Sequence, residues 1–384
     1  MEENTLQLAS MAHSVLGVCG SQLRTLKLAL DDRPFWPVDC FLQTMENLET
    51  LSLRMADPSS SLVQSFVNEV PESTLPTLPP TWSYGSCIST THRCSRKTIF
   101  PTLREFRLTG SGLFVDFQSW ALPWCQLTSI SITEVWMPVS ALLSLFRLTA
   151  STLQNVRVET LADEDKGIDE EEHNCINVIS LPALRTMRLY ALSSKDFTQV
   201  VASIDLPVVD LLCLITDKVV TFRRPSRAWA HFLGERINRG ITVLQLSPRL
   251  ETEDVHNIFR WMTQLQVFRL PSSRLTTEVR RGIAMGDFGT KLKMLNCFIP
   301  DEDSLHGILE TLMLRRIKHL KIQKDRKNAI LHNLSTIPED IGWLSSVVLG
   351  VSRSVSSAEK VVKTWSDMLD KQGLQITMKR YGGT

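Results

Sequence analysis

The chain has 384 residues, of which 43% are apolar and 22% charged, and its formal net charge is +1. That length fills two or three compact domains or one elongated repeat array, and the apolar share can bury a sizeable core. The near-zero charge excludes a global electrostatic attraction to nucleic acid or membrane.

In chain order, a short phrase keeps returning: an apolar residue, another three positions later, a third two positions after that. It opens as Leu23, Leu26, Leu28 in SQLRTLKL, then Leu48, Leu51, Leu53 in ENLETLSL and Leu103, Phe106, Leu108 in PTLREFRL. It continues as Leu127, Ile130, Ile132, then Leu153, Val156, Val158, then Leu184, Met187, Leu189, with a looser Val209, Leu212, Leu214. Ile241, Leu244, Leu246 and Leu265, Phe268, Leu270 follow, and two degenerate members, Leu292, Leu295, Cys297 and Leu309, Leu312, Leu314, close the series. Many steps are 24 to 26 residues, within the period of leucine-rich repeats. The last two apolar positions alternate with a polar residue, which is strand periodicity with one face inward.

Between the phrases the spacing turns helical. Val38, Phe41, Leu42 and Met45 share a face, as do Leu62, Phe66 and Val70 after Pro58. Pro225 opens a helix with Trp229, Phe232, Leu233 and Ile237 on one side and Gly240 as its stop. Val255, Ile258, Phe259 and Met262 form the buried stripe of the next. The expected fold class is α/β: an irregular leucine-rich-repeat solenoid, or horseshoe, with parallel concave strands, convex helices and a helical C-terminal cap.

Three interruptions break the period. Residues 71–99, rich in Pro, Ser and Thr, predict an irregular surface loop with room for one hidden repeat, and residues 161–175 carry seven carboxylates against one lysine. The third lies near 217–227. Beyond Arg315 a basic run, RRIKHLKIQKDRK, predicts a solvated face; a patch for an acidic protein or a localisation signal are the other readings. Ser356 and Glu359 predict a capping box for a helix over 356–371 with Val362, Trp365 and Leu369 inward, and Gly373 then breaks it before a short strand, LQITMKR. The expected organisation is an N-terminal cap (1–20), an array (21–315) with insertions at 71–99 and 161–175, and a basic segment with a C-terminal cap (316–384).

The sequence points away from an enzyme. It has no phosphate-cradling glycine loop, no GxSxG and no HExxH; Gly110-Ser111-Gly112 reads as a turn. Cys87, His92 and Cys94, even with His173 and Cys175, lack the paired short spacings of a zinc site, so neither metal nor cofactor is expected. His231 and His256 fall in helical patterns, His256 on the polar flank. Cys19, Cys40, Cys125, Cys213 and Cys297 sit in or beside apolar phrases and read as free thiols in the core. MEENTLQLAS lacks the basic head and long apolar run of a secretory signal, and no apolar run approaches about 18 residues. A cytoplasmic or nuclear location is therefore expected, and the Asn333-Leu334-Ser335 sequon carries little weight.

What remains is a surface. On a solenoid the in-between positions of the strands line the concave face. Those candidates are Lys27, Ser52, Arg54, Arg107, Ser131, Arg157, Arg188, Gln245 and Arg269, a file rich in arginine that suits an acidic or phosphorylated peptide; the plainer reading is a charged, solubilising strand face. Trp82, Trp120, Trp124 and Trp136 lie in or after loops, as partner anchors if exposed and as core if not.

The segments FPTLREFRL, LPALRTMRL and MENLETLSL, set between long insertions over roughly residues 21–315, resemble the divergent leucine-rich-repeat region of fungal F-box-like proteins. The repeat asparagine of that class is absent, its position held by Asp31, Ala56, Ser111 and Leu192, which predicts irregular repeat geometry. The resemblance implies a protein-interaction scaffold acting as substrate-recognition subunit of a ubiquitin ligase, with a ligase adaptor among its partners. MEENTLQLASMAHSVLG is shorter than an F-box and lacks its LPxE-like opening. The expectation is thus either a truncated or mis-started gene product, or a structural or regulatory repeat protein without a ubiquitin role.

Overall fold

The computed structural model describes residues 20–30, 45–55, 100–110, 122–162, 178–191, 194–216, 227–331, 344–371 and 373–381. The chain divides into two compact units, Met1–Met137 and Pro138–Thr384. The helices expected around Val38–Met45 and after Pro58, and the insertions at 71–99 and 161–175, lie largely or wholly outside the described residues.

The described residues of the first unit form four parallel strands in chain order: β1 (Thr25–Leu30), β2 (Thr50–Met55), β3 (Glu105–Gly110) and β4 (Ser129–Thr133). The phrases stack in register, Leu26 on Leu51 on Phe106 on Ile130. All four are buried, and Trp124 joins this core edge-on to Phe106 with ring centroids 5.6 Å apart. Trp136 is 53% exposed. A two-residue strand, β5 (Met137–Pro138), lies at the boundary of the units.

The second unit repeats the arrangement at greater length. Its parallel strands run β6 (Asn155–Ala162), β8 (Thr186–Ala191), β10 (Leu211–Thr216), β11 (Val243–Leu246), β12 (Val267–Leu270), β13 (Met294–Ile299), β14 (Ser346–Ser352) and β15 (Gln375–Tyr381), each paired with the next. A small second sheet pairs β7 (Ile179–Ser180) with β9 (Ile204–Asp205). The inward row, Val156, Met187, Leu212, Leu244, Phe268, Leu295, Val347, Ile376, is buried throughout.

Among the described residues, seven helices alternate with these strands: α1 (Val139–Thr149), α2 (Ser194–Ser203), α3 (Arg227–His231), α4 (Thr252–Trp261), α5 (Thr277–Met285), α6 (Glu302–Leu331) and α7 (Ala358–Asp370). Their apolar stripes face the strands and their neighbours in chain order. The helix after Pro225 follows its expected stripe, with Trp229, Phe232, Leu233 and Ile237 all buried. It ends earlier than Gly240, however, because α3 passes into a π-helical turn at Phe232–Arg236 and Ile237 is already extended. The α5 helix shows both ends of good capping. Thr276 Oγ1 accepts the Val279 N–H at 3.2 Å, and Gly286 closes it at φ 75°. A β-carbon on Gly282 would sit 2.2 Å from the Phe288 ring, so that close approach requires glycine.

Register does not depend on an asparagine ladder. Backbone carbonyls perform that task. Arg24 O accepts the N–H groups of Glu49 and Thr50 at 2.8 and 2.9 Å, and Arg104 O those of Thr128 and Ser129. The same two-to-one bond recurs in the second unit at Gln154, Arg185, Asp210, Thr242, Gln266 and Lys293. The irregular geometry expected from the missing asparagine is therefore not found in these strand pairings, apart from a register shift at Glu159/Leu161.

Three further expectations are corrected. The phrase Leu309, Leu312, Leu314 is not a strand but part of α6, with the first two residues buried and Leu314 46% exposed. The basic run is not simply a solvated face, since Arg315, Arg316 and His319 are all buried. The Ser356/Glu359 capping box does not form: α7 begins at Ala358, Ser357 Oγ donates to Glu302 Oε1 of α6 at 2.5 Å, and Glu359 pairs with Arg380 of β15 at 3.5 Å.

Candidate binding face on the strands

Side chains alternate along a strand, so each parallel sheet has a face turned away from its core. In the first unit, the central row of that face is Lys27, Ser52, Arg107, Ser131. Arg54 does not join it; it pairs with Ala29 and Thr109, one step further along the strands. Arg107 is already engaged, with its Nε and Nη2 at 2.8 and 2.7 Å from Glu105 Oε1 on the same strand.

In the second unit the central row reads Arg157, Arg188, Cys213, Gln245, Arg269, Asn296, Val348, Thr377. Four of the predicted residues, Arg157, Arg188, Gln245 and Arg269, are brought into one file. They differ in state. Arg157 is bound to Glu159 two residues on, its Nε 2.8 Å from Oε1, and that hydrogen bond holds its pKa above the usual arginine value. Arg269 donates to Gln245 Oε1 at 3.3 Å and lies 3.2 Å from Met294 Sδ. Among the described residues, neither Arg188 nor Arg269 has a carboxylate partner.

Sequence reasoning missed the apolar floor beside these arginines. The next row toward the strand starts holds Leu211, Val243, Val267 and Met294, all half-buried. On the other side stand Tyr190 and Ile215 on adjacent strands, with Phe298 further along. The signal was legible, because each of these residues is two positions from a member of the central file. The Glu105–Arg107 and Arg157–Glu159 pairs were legible by the same rule. The Asn296 Oδ1 atom is buried on this face and has no hydrogen-bond partner among the described residues.

The remaining chemistry is sparse. Burial pushes the Cys213 thiol up, partly offset by Arg188 and Arg269, and full burial pushes Cys297 up to about 12. Cys125 is exposed, against the expectation of a core thiol. Since the thiolate is the reactive form, iodoacetamide mapped by mass spectrometry should label Cys125 in the native protein and Cys297 only after denaturation. Equal native labelling of the two would contradict the described burial. His256 is half-buried, 3.6 Å from Glu278 and edge-on to Phe288, rather than free on a polar flank. Among the described residues, no three His, Cys, Asp or Glu side chains group as metal ligands, and Cys87, His92, Cys94, His173 and Cys175 lie outside them. No described helix is long and apolar enough to cross a membrane.

No protein-family model matches the chain, and no curated protein matches it either.

Proposed function

We propose that the chain is a protein-binding repeat scaffold, a solenoid of leucine-rich-repeat type whose outward strand face holds an acidic peptide segment. The observation that carries this reading is the open face of the second unit. There, Arg188 and Arg269 stand without carboxylate partners among the described residues, over a half-buried apolar floor of Leu211, Val243, Val267 and Met294. Guanidinium groups bind carboxylate or phosphate in forked geometry, and apolar area beside them supplies the non-directional part of the affinity. Arg107 and Arg157, closed on their own glutamates, play the lesser part.

The resemblance to fungal F-box-like proteins extends the reading to the substrate-recognition subunit of a ubiquitin ligase, working in the cytoplasm or nucleus. The alternative is a structural or regulatory scaffold with no ubiquitin role. Two measurements test these levels separately. Selection of a displayed peptide library on the full chain should enrich segments bearing Asp, Glu or phosphoresidues, and enrichment without acidic bias sinks the peptide-receptor reading. Co-purification with the ligase adaptor under mild conditions tests the ligase role alone, and its absence leaves the alternative standing.

A further inference from the structure

The α6 helix is apolar on the wrong side. Its inner face buries Leu305, Ile308, Leu309 and Leu312, and then, unusually, Arg315, Arg316 and His319. Leu314 and Ile317, turned away from those residues, and Leu320 at their flank are 46%, 55% and 49% exposed. Met285 at the end of α5 is also exposed, and Lys318 Nζ donates to its carbonyl. A helix with apolar residues all round is one covered on both sides. Among the described residues, nothing covers the outer one.

The charges on that outer face say what would. Glu310 lies two turns before Ile317 and Lys324 two turns after it, both exposed and nearly in line with it. We propose that α6 is the contact through which two copies of this chain pair, antiparallel, about a two-fold axis at Ile317. In that arrangement Ile317 meets its own copy. Leu314 comes level with the partner copy's Leu320, and Glu310 lies over its Lys324, about 10 Å from the axis at 1.5 Å per residue. The reciprocal contact follows from the symmetry, so one ion pair and one apolar pair each occur twice. Lys321 falls beside Met313 of the other copy, where its methylene stem covers apolar surface. A parallel pair would set Lys321 and Lys324 against themselves. An anionic lipid surface would meet the Glu310 carboxylate at the edge of the patch, which disfavours it. With about 45 Å of length, the helix offers a contact extending well beyond these pairs.

Sedimentation equilibrium of the full chain tests this. The expected result is a species of twice the 43.5 kDa chain mass. Ile317→Asp places two carboxylates at the axis and should weaken pairing by about tenfold or more, as loss of a central contact does. Glu310→Lys alone and Lys324→Glu alone should each weaken it, and the double reversal should restore it, which a misfolded variant cannot do. A monomeric parent, a dimer untouched by Ile317→Asp, or single reversals that pair as well as the parent would each overturn the proposal. So would a monomeric parent that co-sediments with phosphatidylserine vesicles, in favour of a lipid surface.

Discussion

Arg315→Ala is expected to destabilise the second unit by about 3 kcal/mol, the loss of two charge-assisted hydrogen bonds to carbonyls that each keep one backbone donor. The guanidinium reaches from α6 to the end of α5. Its Nη1 donates to Ile283 O at 2.9 Å and its Nη2 to Gly289 O at 2.8 Å, with Phe288 O at 3.5 Å from Nη1. These carbonyls lie at or just past the C-terminus of α5, where the helix dipole concentrates negative charge; Ile283 O also accepts the Gly286 N–H at 3.3 Å and Gly289 O the Leu292 N–H at 2.9 Å. Burial lowers the Arg315 pKa to about 10, so the group stays charged at neutral pH. Lysine concentrates its donors on one ammonium and cannot fork between Ile283 and Gly289, so Arg315→Lys should recover only part of the loss. Urea unfolding followed by circular dichroism measures both. A midpoint unmoved by Arg315→Ala, with unchanged slope, would mean that the bridge adds nothing.

Arg188→Glu combined with Arg269→Glu should abolish acidic-peptide binding, by about a hundredfold or more, because each lost charge-assisted pair is replaced by repulsion. The two arginines are separated by three strand spacings, about 14 Å at 4.8 Å each. An extended peptide crossing the strands covers that span in about four residues, at about 3.4 Å apiece. Residues four apart on an extended chain point the same way. The preferred ligand therefore carries carboxylates or phosphates at positions i and i+4. Fluorescence anisotropy with peptides spaced two, four and six residues apart measures this, and equal affinity for all three would sink the two-point model. Arg107→Glu, in the other unit and already paired, should leave binding within about twofold of the parent, because an exposed ion pair contributes little.

Much of the architecture was written in the phrase itself. Leu184, Met187 and Leu189 alternate with exposed residues, and that period admits little but a strand with one buried face. The same logic misplaced Leu309, Leu312 and Leu314: the spacing of three also suits a helix, and thirty residues without a break settle that ambiguity toward α6, which turns Leu314 outward while Leu309 and Leu312 stay buried. It also passed over Leu344, Val347 and Leu349, which complete β14 in register with β13 although serines stand where earlier phrases hold Gln, Arg or Thr. The binding face was half legible. Its arginines could be counted from spacing, yet Arg54 falls outside the central file because it follows the third apolar residue of its phrase, whereas Lys27, Ser52 and Arg107 sit between the second and third. Whether an arginine is available depends on its neighbour as well. Arg188 and Arg269 look like Arg157 in their phrases, and only Arg157 is closed on a glutamate.

The carbonyl ladder has a consequence for how such a protein changes over time. Because each rung joins one main-chain oxygen to two main-chain N–H groups, the backbone carries most of the hold between successive strands, and the hydroxyls of Thr128, Thr242 and Ser345 only add to three of the rungs. Substitutions on the outward rows can then accumulate without a penalty in register, and whole segments of any length can enter between a strand and its successor. Binding preference and scaffold integrity are thereby uncoupled, so drift in one leaves the other untouched.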